Sequence, residues 1–170
     1  MVDSFTHTAF DTPLGPVALA ATETGVVRCN LPGSDPDALV EEVATKTGLT
    51  PVEGGKTVDQ AADLVIAFLE GELHDFDLEL DWQLVGGFHR EVLRATRTIP
   101  WGETASYGDV AALAGAPGAA RAAGTALSRN PIALIVPCHR VIKADGTTGG
   151  YGGGKAGTAL KQRLLDLERP

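Results

Sequence analysis

The stretch Ile132-Ala133-Leu134-Ile135-Val136 constrains this chain most, because five consecutive apolar residues without alternation belong inside a core. Read as a short strand or extended segment, it must stop at Pro137, which has no N–H to donate and holds the preceding residue extended. Cys138 and His139 follow at once. A thiol and an imidazole thus leave the interior side by side on a rigid wall. An ordinary thiol titrates near about 8.5 and only the thiolate attacks, so a reactive cysteine needs a base. His139 is the nearest one. Two readings stand at this point: a lone buried cysteine is commonly an inert small hydrophobe, and neighbours on an extended chain face opposite sides. A Cys138–His139 pair therefore requires a bend at Pro137 or a bridging water.

The formal net charge of −8 argues against an anionic partner when the chain is taken whole. Its distribution does not. Residues 1–87 hold Arg28, Lys46 and Lys56 against sixteen acids, whereas residues 88–170 hold eleven Lys or Arg against six. Only the second part is expected to touch an anion, the acidic part serving as a solvated surface. No apolar run approaches the roughly 18 residues of a membrane span. Met1-Val2-Asp3-Ser4 has no basic stretch leading into an apolar one, so neither a membrane partner nor a signal peptide is expected. Cys29 and Cys138 allow at most one disulfide, which points to a reducing compartment, the cytoplasm. Four histidines and two cysteines show no ligand spacing, so no metal is expected.

The spacing predicts strands over Thr6–Phe10, Val17–Ala21 and Val26–Leu31, joined by turns at Asp11-Thr12-Pro13-Leu14-Gly15-Pro16 and Thr22-Glu23-Thr24-Gly25. Such a run is an antiparallel meander with Cys29 in its core and His7 on its surface. Asp35 can cap a helix that has Pro36 at its first position. Thr50 to Lys56 reads as a loop, Val58 to Leu69 as a second helix ended by Gly71, and Phe76, Leu78 and Leu80 as alternate positions of an edge strand. The expected fold is an N-terminal α/β (α+β) domain with an antiparallel sheet, residues 1–86. A mostly helical C-terminal domain, residues 87–170, follows the Gly86-Gly87 boundary.

In that second domain, Phe88, Val92, Leu93, Thr96 and Ile99 share a helix face. Ser106-Tyr107-Gly108-Asp109 has the form of a capping box opening a short helix. After the turn at Gly115-Ala116-Pro117-Gly118, Ala119 to Ser128 begins another, which makes a helix-turn-helix. Ala119, Ala120, Ala122, Ala123, Gly124 and Ala126 leave that helix almost without bulk, and Arg121 is its long cation. Its backbone can approach a partner closely, be that partner nucleic acid or another helix. Gly149 to Gly154 carries no P-loop ending or dinucleotide fingerprint and reads as a pocket wall, with Tyr151 at its side.

Taken together, Asn130-Pro131, the apolar run and Pro137-Cys138-His139-Arg140-Val141-Ile142 resemble the active-site signature of the O6-alkylguanine-DNA alkyltransferases. Ile99-Pro100-Trp101-Gly102, Ser106-Tyr107, Ala119 to Gly124, Gly149 to Gly154 and Leu164 to Glu168 fall in the family's order. The resemblance is specific from about Phe88 to Glu168 and general before that. His89 and Leu93 stand where the family usually has Gln and Trp, and Lys155 to Ala159 lengthens the approach to Glu168.

The resemblance implies a single-turnover enzyme that moves the alkyl group from guanine O6 in duplex DNA to Cys138. No cofactor is implied, and the chain is expected to act as a monomer. His139 would take the thiol proton through a water, Glu168 would hold the imidazole, and Asn130 would brace the turn before the active-site strand. Tyr107 would donate toward the departing guanine. The helix bearing Arg121 would enter the minor groove, with Arg121 filling the space of the flipped nucleotide. Ser106, Ala120, Ala122, Gly124 and Thr125 would line the DNA contact. Val141, Ala133, Gly149, Tyr151, Gly152 and Gly153 would form the pocket, and the carbonyls of Cys138 and Val141 would accept from the guanine amino group.

Three rival readings remain. One is a sensor of the same fold that binds the lesion without repairing it, another a cysteine hydrolase or acyltransferase, and the third a DNA-binding regulator with an inert cysteine. The first lacks the cysteine that this chain retains, and the second leaves the helix-turn-helix without a purpose.

Overall fold

The computed structural model describes residues 3–151 and 154–169. The chain divides into two compact units, Met1–Leu84 with Pro131–Ile135, and Val85–Asn130 with Val136–Pro170.

In the first unit β1 (Ser4–Phe10), β2 (Val17–Ala21) and β3 (Val26–Cys29) form the expected antiparallel meander. Every residue of β2 is buried, which explains why its sequence runs apolar without alternation: both faces are covered. Ala18 and Ala20 join Phe5 and Val27 in a core with Leu39 and Val43 of α1 (Pro36–Thr47). The pleat turns Val17, Leu19 and Ala21 to the other face, where α2 (Lys56–Leu69) packs on β1 and β2. Asp35 caps α1 as the sequence indicates, its carboxylate accepting from the Asp37 N–H, with Pro36 just inside.

Three expectations need correction here. Thr50–Glu53 is not loop but a fourth strand, β4, parallel to β1 from Ser4↔Thr50 to His7↔Glu53. All four of its residues are exposed, so no hydrophobic alternation marked it. Phe76 to Leu80 is not a strand; a single bridge, Val26↔Leu80, is made there. The third concerns Pro131–Ile135, expected in the second domain. The backbone of Cys29 takes this segment instead, donating to Pro131 O at 2.9 Å and accepting from Ala133 N at 2.9 Å. Arg28 adds a bond from Nη1 to Pro131 O at 3.0 Å. Leu80 and Ile132 therefore both lie along β3, leaving less of that edge open to pairing. The run is not continuously extended either, because Leu134 adopts φ +69° and turns the chain.

The second unit is built from α3 (Gly87–Arg97), α4 (Tyr107–Leu113), α5 (Ala120–Ser128) and α6 (Gly154–Leu167). A short parallel pair joins β5 (Ala105–Ser106) to β6 (Val141–Ile142). α3 packs on α4 and α5 through Val92, Leu93 and Thr96 among its buried residues. The capping box forms as the sequence indicates: Ser106 Oγ accepts from the Asp109 N–H, and the Asp109 carboxylate accepts from the Ser106 N–H. α4 and α5 are the two helices of a helix-turn-helix, joined through Gly115 and Gly118, both at positive φ.

Candidate active site

Cys138, His139 and Arg140 form one turn of 3-10 helix directly after Pro137. This is the bend that a Cys–His neighbour pair requires, and it buries all three residues. The turn is fixed at both ends. Asn130 Nδ2 donates to Val136 O at 3.1 Å, and Val141 N donates back to Cys138 O before the chain enters β6. The pairing Ala105↔Val141 and Ser106↔Ile142 then places the start of α4, with Tyr107, beside the exit of this turn.

The inner face of α6 supplies the polar partners. Gly157, Lys161 and Leu164 are buried along it at spacings of four and three, and Glu168, just past the helix end, continues the same side. Glu168 Oε2 lies 2.7 Å from His139 Nε2. Arg140 grips the same carboxylate, Nε to Oε1 at 2.8 Å and Nη2 to Oε2 at 2.9 Å. Lys161 Nζ donates to Val141 O at 2.6 Å, to Gly150 O at 3.3 Å and to Tyr107 Oη at 3.4 Å, and sits 5.6 Å from the Tyr107 ring centre.

These contacts set the charges. Burial pushes the Cys138 thiol up; hydrogen bonds from Asn130 and Tyr151 and the Lys161 charge oppose it without cancelling it. The resting group is thus a thiol and needs a base. Burial also lowers His139, keeping it neutral; Glu168 pulls the other way, and Arg140 and Lys161 add to the lowering. For Glu168 burial works upward, but the hydrogen bonds from His139 and Arg140 prevail and hold it below the usual range, as a carboxylate. A carboxylate on Nε2 fixes the proton there, so Nδ1 is the ring atom that can accept one. Burial lowers Lys161 to about 8, partly offset by the attraction of the Cys138 thiolate. Tyr107 is raised, first by burial and then by Cys138. Cys29 is different. Burial pushes it to about 12 against the Arg28 charge, which makes it inert.

On α5, Arg121, Ala122 and Thr125 are exposed, while Ala123, Ala126 and Leu127 are buried against the unit. Ala120 and Gly124 lie between, and Gly124 backs onto the Tyr107 ring: a Cβ there would meet it at 3.7 Å. Ser106 is the N-cap of α4. The structure thus gathers Cys138, His139, Glu168, Asn130, Tyr107, Val141, Gly149 and Tyr151 in the second unit. Ala133 is not among them; it belongs to the first unit through its bond to Cys29 O. Gly152 and Gly153 lie outside the described residues. The Val141 carbonyl, expected to receive a guanine amino group, already accepts from Lys161. No group of three His, Cys, Asp or Glu among the described residues is placed to hold a metal.

Residues 87–170 match the family model of the 6-O-methylguanine DNA methyltransferase DNA-binding domain. The methylated-DNA–protein-cysteine methyltransferase of Mycobacterium tuberculosis is 44% identical over 165 residues, 96% of this chain and 92% of its own. That of Methanosarcina acetivorans is 38% identical over 95% of this chain and 97% of its own. This chain belongs to the methylated-DNA–protein-cysteine methyltransferase family. The crystal structure of Mycobacterium tuberculosis OGT in complex with DNA superposes with a TM-score of 0.80 at 41% identity, covering 96% of this chain and 92% of that one.

Against this family background, two buried cations stand out that the sequence reading left without a role. Lys161 is 1% exposed and Arg140 4%. Lys161 lies just beyond the Lys155 to Ala159 stretch, and the helical spacing that sets it on one face with Leu164 and Glu168 is the signal that marks it. Arg140 is inside the signature itself, yet nothing in a linear sequence shows that its guanidinium turns back on Glu168.

Proposed function

We propose that this chain repairs DNA by direct reversal, transferring the alkyl group of an O6-alkylguanine in duplex DNA to Cys138 in one irreversible turnover. The observation that carries the reading is the relay itself. A buried thiol, a neutral imidazole and a fixed carboxylate are assembled in the same unit as a helix-turn-helix whose outer face is Arg121 and small residues.

A lesion on O6 lies within the base stack, so the nucleotide must be turned out, at a cost of a few kcal/mol. Arg121 offsets that cost by occupying the vacancy, and the small side chains of Ala120, Ala122 and Gly124 let the α5 backbone lie close to the minor groove. Ser106 and Thr125 contact the strand beside it. The thiol proton passes to His139 Nδ1 over a bridging water, and Glu168 stabilises the imidazolium. Sulfur attacks the alkyl carbon as the carbon–O6 bond breaks, the electron pair staying with guanine. Tyr107 donates a proton to a guanine ring nitrogen. Protons balance, one gained by His139 and one given by Tyr107. Lys161 supports both ends, its charge favouring the thiolate and its N–H bonds holding Tyr107 and the Val141 and Gly150 carbonyls. Gly149, Tyr151 and Val141 form the pocket wall.

The product is a thioether, which no cellular reductant readily reverses. Each chain therefore acts once. It acts as a monomer, since one chain supplies every member of the relay, and without a cofactor. A reaction that consumes a thiol needs a compartment that keeps thiols reduced, here the cytoplasm. The non-repairing sensor is disfavoured because Cys138 is present and placed beside a base.

Intact-protein and peptide mass spectrometry after mixing with a duplex carrying one O6-methylguanine tests this. One methyl on Cys138, saturating at one per chain and absent in Cys138→Ala, is the expected result. Tight lesion-dependent binding without any mass gain would make the protein a sensor instead.

A further inference from the structure

We propose that Arg140 is a positioning residue of this relay: its guanidinium holds both oxygens of Glu168, so that the carboxylate orients His139 without taking its proton. The inference rests on the alkyl-transfer reading above.

The geometry is that of a forked, charge-assisted clamp. Nε and Nη2 reach Oε1 and Oε2 at 2.8 and 2.9 Å, a matched pair of the kind only arginine makes. The third arm, Nη1, donates to Ile99 O at 2.6 Å, just beyond the end of α3. The guanidinium is therefore anchored independently of the carboxylate it holds. Its side chain is 5% exposed and that of Glu168 2%, so water screens neither.

Two consequences follow for His139. With both oxygens engaged, the carboxylate keeps one rotamer, and the imidazole ring that it bonds keeps one orientation. The positive charge beside the ring also disfavours imidazolium, opposing the Glu168 charge that favours it. The charged groups that act on His139 are Lys161 from α6, Glu168 just past its end, and Arg140 from the same turn as His139. α3 also packs on this turn, and its buried residues, Val92, Leu93 and Thr96, do not titrate. Arg140 and Lys161 thus add their charge to the burial that stops the His–Glu pair from becoming a stable ion pair. An imidazole already protonated could not accept the thiol proton. A purely structural arginine would stabilise the fold without touching this balance.

The test is the pH profile of methyl transfer from an O6-methylguanine duplex, pH 5 to 9, for the native chain, Arg140→Gln and Arg140→Lys. Folding of each is checked by circular dichroism. Arg140→Gln should move the acid limb, below which His139 is protonated, upward by about one pH unit. Arg140→Lys retains charge but loses the fork, so its acid limb should stay while the plateau rate falls about tenfold. An unmoved limb in Arg140→Gln overturns the proposal. If that variant does not fold, a native plateau rate in Arg140→Lys does so. Nitrogen-15 NMR titration of His139 in the native, Arg140→Gln and Arg140→Lys proteins, expected to show the ring gaining its second proton at higher pH in Arg140→Gln alone, reads the same relay without any substrate. A native chain that transfers no methyl would sink the alkyl-transfer reading alone, because the NMR arm still decides whether Arg140 sets the state of His139.

Discussion

Gly149 lies so close beneath Tyr107 that a Cβ on it would stand 2.7 Å from the phenol oxygen and 3.2 Å from a ring carbon. Gly149 also has φ +74°, in the left-handed region. Gly149→Ala therefore costs about 1–2 kcal/mol in backbone strain and pushes aside the phenol proposed to protonate the leaving base. Displacing a reacting group by about 1 Å can cost a hundredfold in rate. Gly149→Ala is expected to slow methyl transfer by about that factor while duplex binding, measured by fluorescence anisotropy, changes less than about threefold. Transfer at the native rate would show that Tyr107 does not need this vacancy.

Arg121 is exposed near the start of α5 and remote in role from the bond-making atoms. Its expected effect is confined to substrates that must be flipped. Arg121→Ala should lower the rate on a duplex lesion by about tenfold to a hundredfold, the equivalent of about 1.4 to 2.8 kcal/mol of lost flipping support. Reaction with free O6-benzylguanine base should be unchanged. Equal losses on both substrates would mean that Arg121 acts on the chemistry or the fold instead.

The parts of this molecule legible in the sequence are those governed by local rules. Asp35 with Pro36, Ser106 with Asp109 and the all-apolar β2 each follow from capping or burial patterns spanning a few residues, and each forms as read. β4 was not legible because its pairing with β1 is long-range and its four residues face water. Phe76 to Leu80 shows the converse: alternation is present, but a single bridge at Leu80 is all the pairing it makes. In the site, the Cys138–His139 neighbourhood was visible as a motif, whereas its bend required a 3-10 turn that the flanking prolines only hint at. The pairing of His139 with Glu168, 29 positions away, came from family resemblance. The Arg140 clamp and the Lys161 contacts came from neither, since a buried charge announces itself only when its partners are known.

Acid should destabilise this protein through the relay in two steps. His139 is lowered from 6.5 in the folded state, so below pH 6.5 the unfolded chain binds a proton that the folded chain refuses. Stability therefore falls as pH drops from 6.5 toward the folded value. Glu168 is lowered from 4.5; its contribution is present above 4.5 and is lost as pH falls below that toward its folded value. Each group can add a slope of at most about 1.4 kcal/mol per pH unit. Urea denaturation of native protein and His139→Gln between pH 7.5 and 4 should show the variant declining less steeply from pH 6.5 to 5. Parallel declines over that interval would rule out His139 as the buried neutral group.

Lys161 sets the opposite limit. Its ammonium, lowered to about 8 chiefly by burial, is the cation that favours the Cys138 thiolate. As pH rises through about 8, the folded protein loses that charge together with a donor to Tyr107. Native methyl transfer should therefore rise as His139 becomes neutral and turn down above about 8. In Lys161→Met no such charge exists to be lost. The rate at pH 7 should be lower by about a hundredfold, in line with removing one charge-stabilising donor. It should then climb without a downturn as hydroxide generates thiolate. Single-turnover quench-flow across pH 6 to 9.5 distinguishes the two shapes. A downturn near 8 that survives in Lys161→Met would assign the alkaline limb to another group and leave Lys161 a structural donor to the Val141 and Gly150 carbonyls.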